Sequence, residues 1–302
     1  MASVVQSLYK KRIITKLPKF VPANTQYEVI MGSVAYGVSN DTSDMDIYGF
    51  CIPPRDYVFP HLRGEIPGFS EPGPQFDQYQ EHHILDKDAE SGKGREYDLS
   101  IYSIIKFFRL CMENNPNMID SLFVPRRCIL YTTPVGELVR ENRKAFLHKG
   151  AWHKFKGYAY SQVHKMNTKN PVGKRKKTIQ EYGYDVKFAY HVVRLLNEVE
   201  QILTEGDLDL ERNREQLKAI RRGDWSQEKV REYFEQKENE LESVYTKSEL
   251  PHTPDIETLQ SLLLECLETH YGSLEGCVVD QDEMVIAMRD IDKILEKIRN
   301  RL

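Results

Sequence analysis

The sequence has little cysteine. Its five, at positions 51, 111, 128, 266 and 277, are odd in number, widely spaced and free of any C-x-x-C pair. Neither a disulfide framework nor a zinc knuckle is supported, so they are expected to be reduced and mostly buried. Long apolar runs are also missing. No window approaches the roughly 18 continuous apolar residues that a transmembrane helix needs, and MASVVQSLYKKRIITK lacks the apolar core of a secretory signal. A cytoplasmic protein without a membrane partner is expected. The nine histidines are scattered, and the adjacent His82 and His83 lie in a polar, Gly/Pro-rich stretch, so a dedicated His-based metal site is not expected. No internal repeat or low-complexity tract interrupts the rest. At 302 residues, 40% hydrophobic and 29% charged, the chain can build one large or two medium domains with real cores.

The net charge of -4 hides a split. From Arg140 to Lys177 there are twelve Lys or Arg against one acid, Glu141, whereas Glu198 to Leu302 holds 26 Asp or Glu against 14 Lys or Arg. The acidic tail reads as solvated helical faces. The basic middle contains GKRKK at 173–177, with Trp152, Phe155, Tyr158 and Tyr160 nearby. That combination suits a polyanion, and Lys174, Arg175, Lys176 and Lys177 become candidate RNA contacts. An ordinary exposed loop is the competing reading.

Hydrophobic periodicity organises the chain. YEVIM at 27–31 predicts a buried strand ending at a Gly-Ser turn, and MDIYGFCI at 45–52 a second strand stopped by Pro53-Pro54. SVAYGVSND between them leaves room for a short helix and a loop. Residues 60–95 have no sustained period and read as a long loop or hairpin insertion. REYDLSIYS then alternates Tyr97, Leu99 and Ile101 against Glu96, Asp98 and Ser100, the pattern of a half-buried strand. Ser103 can cap a helix to about Asn114, and the Asn115-Pro116-Asn117 break starts another. Helical periods dominate after about Gly136, most clearly at 178–204, 227–247, 254–270 and 281–301. The fold class is therefore α+β, with a mixed-sheet head over 1–135 carrying the 60–95 insertion and a helical body over 136–302.

Within this frame the closely spaced Asp44 and Asp46 stand out. Alternate residues of a strand share a face, so both carboxylates project together. Two such groups repel unless a cation neutralises them, and hard oxygen donors select Mg2+ or Mn2+. Gly32 permits close backbone approach, while the Ser33 hydroxyl and nearby amides at a turn entering a helix can meet phosphate oxygens. A triphosphate opposite a metal pair fits this arrangement. Asp98 is the candidate third acid and Glu96, on the same face, its fallback.

The pattern Gly32-Ser33, nine residues, Ser43-Asp44-x-Asp46 resembles the signature of the polymerase-beta-like nucleotidyltransferase superfamily. More narrowly, GSVAYGVSNDTSDMDIYG, NNPNMIDSLF, KGYAYSQVHKM and GYDVKFAYHVVRLL resemble the nucleotidyltransferases associated with RNA-repair enzymes. The resemblance spans about residues 27–225. It implies two divalent ions and transfer of a nucleoside monophosphate from an NTP to a hydroxyl; the resemblance does not carry the acceptor, and an RNA or tRNA end is the one expected here. It further implies Asp44, Asp46 and Asp98 as metal ligands and Gly32 and Ser33 as triphosphate contacts.

Tyr184, Lys187, His191 and Arg194 fall at i, i+3, i+7 and i+10, on one helical face. Two cations and an imidazole in line suit a triphosphate tail or an acceptor phosphate. The resemblance falls on these same residues, and it is what sets Lys187, His191 and Arg194 as expected at the nucleotide, with Lys165 a weaker candidate. A plain solvent face would have the same spacing. A non-catalytic RNA-end or protein-binding module, and an enzyme modifying a protein hydroxyl, are the alternative functions. Base identity, oligomeric state and the number of nucleotides added have no signature in the sequence.

Overall fold

The computed structural model describes residues 2–39, 44–66, 73, 75–168 and 174–277, with isolated helical positions at 288, 291, 294, 295, 298 and 299. Ser43 of the Ser-Asp-x-Asp signature and most of the helix expected at 281–301 lie outside the described residues. In chain order the main elements are α1 (Val4–Lys10), β1 (Thr25–Ile30), β2 (Met45–Cys51), β3 (Gln78–Asp86) and β4 (Arg95–Ser103). They continue with α2 (Ile104–Met112), α3 (Pro116–Phe123), β5 (Ile129–Thr132), α4 (Pro134–Glu141) and α5 (Ala151–Thr168). The rest is helical: α6 (Lys174–Tyr182), α7 (Val186–Glu205), α8 (Arg214–Arg221), α9 (Gln227–Lys247) and α10 (Ile256–Tyr271).

The strands form one mixed sheet in the order β3-β4-β2-β1-β5. Only β2 and β4 run parallel; β1 pairs antiparallel with β2 and β5, and β3 with β4. Strand alternation divides the side chains between two interiors. Ile47, Cys51, Leu99 and Ile101 turn toward α1, burying Val5 and Leu8, whereas Phe50 and Tyr102 turn toward the helices. There Phe50 stacks between Tyr27 and Phe107, at ring-centroid distances of 5.8 and 4.9 Å. Each such ring contributes on the order of 2 kcal/mol by leaving water. Asp46 and Asp98 belong to the same alternation as Phe50 and Tyr102, so they stand on the helical face of the sheet.

Local chemistry explains the element ends. Ser103 caps α2 by accepting the Lys106 N–H at 3.2 Å. Asn115 caps α3 by accepting the Asn117 N–H at 3.1 Å, with Pro116 in the first turn where its missing donor costs nothing. The helix expected at 178–204 is two helices: Gly183 takes the left-handed φ of +80° that ends α6, and Asp185 caps α7 through the Lys187 and Phe188 amides. Within the 60–95 insertion, β3 forms a hairpin with β4. All five cysteines are free and buried. Among the described residues no helix is long and apolar enough to cross a membrane.

Candidate active site

Parallel pairing sets Asp46 directly beside Asp98, and Asp44 is exposed just ahead of β2. At the neighbouring strand end the Met31 N–H donates to the Asp46 carbonyl at 2.7 Å, which draws Gly32 against the Asp46 side chain. A Cβ at Gly32 would lie 2.2 Å from Asp46 Oδ2, and its φ is +65°. Only glycine meets both demands. The segment after it winds into successive turns, with the Gly32 carbonyl accepting from the Tyr36 N–H at 3.3 Å and the Ser33 carbonyl from the Val38 N–H at 2.9 Å. The short helix expected there does not form among the described residues, because Gly37 adopts a φ of +66° and closes the winding. Ser33 therefore sits in a turn rather than at a helix start.

Burial holds the Asp46 carboxyl above its ordinary value, and the adjacent Asp98 pushes it further. Lys187, exposed on the first turn of α7, opposes that rise by charge attraction; Asp44 adds to it and His82 counters it. Asp98 is gripped from β3. Its Oδ1 accepts the His83 N–H at 2.8 Å, and its Oδ2 lies 3.3 Å from His82 Nδ1. Glu96, the fallback acid, is ion-paired to His83 at 2.5 Å. It is also two residues from the position that faces Asp46.

The expected helical face divides along its length. Lys187 faces the acids, but Tyr184 is buried and donates its hydroxyl to the Trp225 carbonyl at 2.6 Å. His191 is half-buried beside the Tyr190 ring, at 4.8 Å between centroids. Arg194 is buried and lies elsewhere. It bonds the Tyr36 hydroxyl at 2.8 Å, both Glu198 oxygens at 2.9 and 3.0 Å, and Asp120. Tyr36 donates to Asp120 at 2.7 Å and lies under the guanidinium at 4.4 Å. Arg194 thus ties α7 and α3 to the turn that carries Gly32 and Ser33, and the structure does not bring it to the carboxylates. Asp120 and Glu198, which complete this network, were not foreseen; a lone acid in the apolar NPNMIDSLF was the available signal.

The basic middle is partly neutralised within the chain. Lys156 pairs with Glu238 and Glu242 of α9 at 2.8 and 2.9 Å, and Lys144 with Asp207 at 2.6 Å. Trp152 and Phe155 are fully buried core residues, so they offer no stacking platform for a polyanion. Lys165 is exposed near the end of α5. Lys174, Arg175, Lys176 and Lys177 open α6; of these side chains only that of Lys176 is described, and it is exposed.

The donor set fits a hard divalent ion. Asp44, Asp46 and Asp98 are oxygen donors, and the missing Cβ of Gly32 leaves Asp46 Oδ2 against open backbone. Among the described residues no three His, Cys, Asp or Glu side chains are already gathered at metal-binding distance. Like charges repel, and the exposed Lys187 supplies an opposite charge near Asp46.

A mixed sheet with an Asp-x-Asp pair, a third acid on the adjoining parallel strand and a Gly-Ser turn against them is the framework of a polymerase-beta-type nucleotidyltransferase. Sequence comparison carries the assignment further. Residues 10–265 match the RlaP family, described as the RNA repair pathway DNA polymerase beta family, and the chain belongs to it. No curated protein matches the chain. A solved structure described as a nucleotidyltransferase-like protein from Exiguobacterium sibiricum is similar at 10% identity, over 88% of this chain and 75% of that one. With a TM-score of 0.29, that likeness carries no weight for this chain.

Proposed function

We propose that this protein moves a nucleoside monophosphate from an NTP to the hydroxyl of an RNA or tRNA end, releasing pyrophosphate. The observation that carries the reading is the register of Asp46 with Asp98 on parallel strands, with Gly32 against Asp46. Asp44, Asp46 and Asp98 would hold Mg2+ or Mn2+. Those ions, when bound, lower the pKa of the attacking hydroxyl and stabilise charge on the leaving pyrophosphate.

The remaining work falls to the chain. Ser33 and the turn amides around it donate to triphosphate oxygens, a role open to any run of N–H groups aimed at one concavity. Lys187 adds an exposed cation on the side of Asp46, where a phosphate tail needs one. In this division the head, residues 1–135, supplies the acids, and the body, 136–302, closes the site with Lys187 and the half-buried His191. Both substrates are cytoplasmic, which is where the reading places the protein.

The test offers each NTP, labelled at the α-phosphate, with bulk RNA, tRNA and cell lysate in Mg2+ or Mn2+. Label joined to RNA by the wild type and not by Asp46→Asn supports the reading. Label in protein alone moves the acceptor to a protein hydroxyl. No transfer to any acceptor would make the chain a binding module.

A further inference from the structure

The pairing of β3 with β4 slips beside the third acid. Glu81 faces Leu99, yet Ile84 already faces Tyr97, so both His82 and His83 stand opposite Asp98. This is a β-bulge, and His83 takes a φ of +57° within it. A non-glycine residue in that region is strained. The side chains return little by packing, since those of His82 and His83 are 58% and 81% exposed. The bulge instead aims two groups at one carboxylate. The His83 N–H fixes Asp98 Oδ1 at 2.8 Å, leaving Oδ2 turned toward His82 Nδ1 at 3.3 Å.

That separation is long for an N–H···O bond. Two donors about 2.1 Å from one ion, at neighbouring corners of an octahedron, lie about 3.0 Å apart. Asp98 Oδ2 and His82 Nδ1 are thus spaced, within a few tenths of an ångström, as two ligands of a single cation. We propose that His82 Nδ1 is a ligand of the divalent ion held by Asp98, with the His83 amide orienting the carboxylate. This rests on the proposed role of Asp98 as a metal ligand. It adds one nitrogen donor to an oxygen site, which falls short of the dedicated His-based site that the composition spoke against. Imidazole suits transition ions better than Mg2+, so the site should favour Mn2+ over Mg2+ more than an all-carboxylate site would.

Binding, rather than turnover, tests this. Mn2+ is titrated into the nucleotide-free full chain, free Mn2+ is followed by electron paramagnetic resonance, and the bound ion is read by pulsed resonance for nitrogen-14 coupling. The wild type is expected to show the coupling of a directly ligated imidazole. His82→Ala should abolish it and weaken Mn2+ at least about 10-fold, while Mg2+, measured by competition, shifts less than about 2-fold. His83→Gly, which suits the left-handed position, should keep the coupling and so exclude the neighbouring ring as its source. Bound Mn2+ without nitrogen coupling in the wild type, or coupling that survives His82→Ala, overturns the ligand role and leaves the carboxylate site intact. No Mn2+ binding to the wild type, or binding indifferent to Asp98→Asn, overturns both this inference and the metal reading beneath it.

Discussion

Asp46 and Asp98 are nearest partners across two parallel strands, and both point to the helical face of the sheet. Neither can turn to the opposite face without moving Phe50 and Tyr102, which are core. The fold therefore holds two like charges together in a partly buried place, and burial first, with Asp98 after it, raises the Asp46 carboxyl.

The first prediction comes from that rise. The folded pKa of Asp46 lies above its ordinary 3.8, so the folded state binds this proton more tightly than the unfolded state does. The penalty is absent below the unfolded value and grows as pH rises through the folded one. Without metal, Asp46→Asn should melt above the wild type at pH 7, and the gap should close in acid. Added Mg2+ or Mn2+ should raise the wild-type Tm and leave the variant unmoved, while transfer by the variant falls at least about 10²-fold. A variant with full activity, or with a lower apo Tm at pH 7, would reject the carboxylate-pair assignment.

Gly32 gives a second, sharper test because it touches the acid without titrating. Gly32→Ala places a methyl group 2.2 Å from Asp46 Oδ2 and forces a left-handed φ on alanine. Backbone strain alone costs about 1–2 kcal/mol, and the carboxylate must move. Urea unfolding should register the strain, and Mn2+ titration should register the displaced donor as weakened binding. Metal affinity equal to wild type would show that Asp46 Oδ2 is not a ligand.

Lys187 and Arg194 lie on one helix and should separate cleanly. Replacing Arg194 by Met leaves Asp120 and Glu198 buried without their cation, a loss of about 3–5 kcal/mol. Lys187→Ala removes an exposed side chain, so stability should change by no more than about 0.5 kcal/mol, while KM for the NTP rises. Urea unfolding with initial-rate kinetics reads both. A stable Arg194→Met protein would dissolve the network, and unchanged KM in Lys187→Ala would remove that lysine from the nucleotide.

These contrasts also mark what the sequence could convey. β2, β4 and the caps at Ser103 and Asn115 arise from period-two alternation and N-cap chemistry, which act over a few residues. β3 was visible only as half of a hairpin. Its QYQEHH run is polar, and its strand state comes from the edge of β4. The acids were legible because spacing fixes their common face. The fate of Arg194 was not, because helical period gives a direction but not what stands there: its partners Tyr36 and Asp120 lie 158 and 74 residues away in sequence. Trp152 and Phe155 misled for the same reason, as an aromatic between lysines looks alike whether it faces RNA or core.

The last prediction concerns the lysines that open α6. Lys156 is held by Glu238 and Glu242, so it has little charge to spare for a ligand. The GKRKK run has no such acid within its own stretch of sequence. If Lys174, Arg175, Lys176 and Lys177 touch an RNA backbone, log affinity should fall with log salt by about 0.7 per contact on a single strand. Changing all four to Ala should flatten the slope by up to about 3 and weaken many sequences alike, because phosphate contacts position without reading bases. Lys156→Ala should leave the slope unchanged, and NTP binding should be spared in both. Filter binding of labelled tRNA from low to moderate salt makes the measurement. Wild-type binding by the fourfold variant, or an affinity independent of salt, would reject the α6 start as an RNA contact. The acceptor would then have to reach Asp98 by a route that avoids the basic stretch, as a protein hydroxyl would.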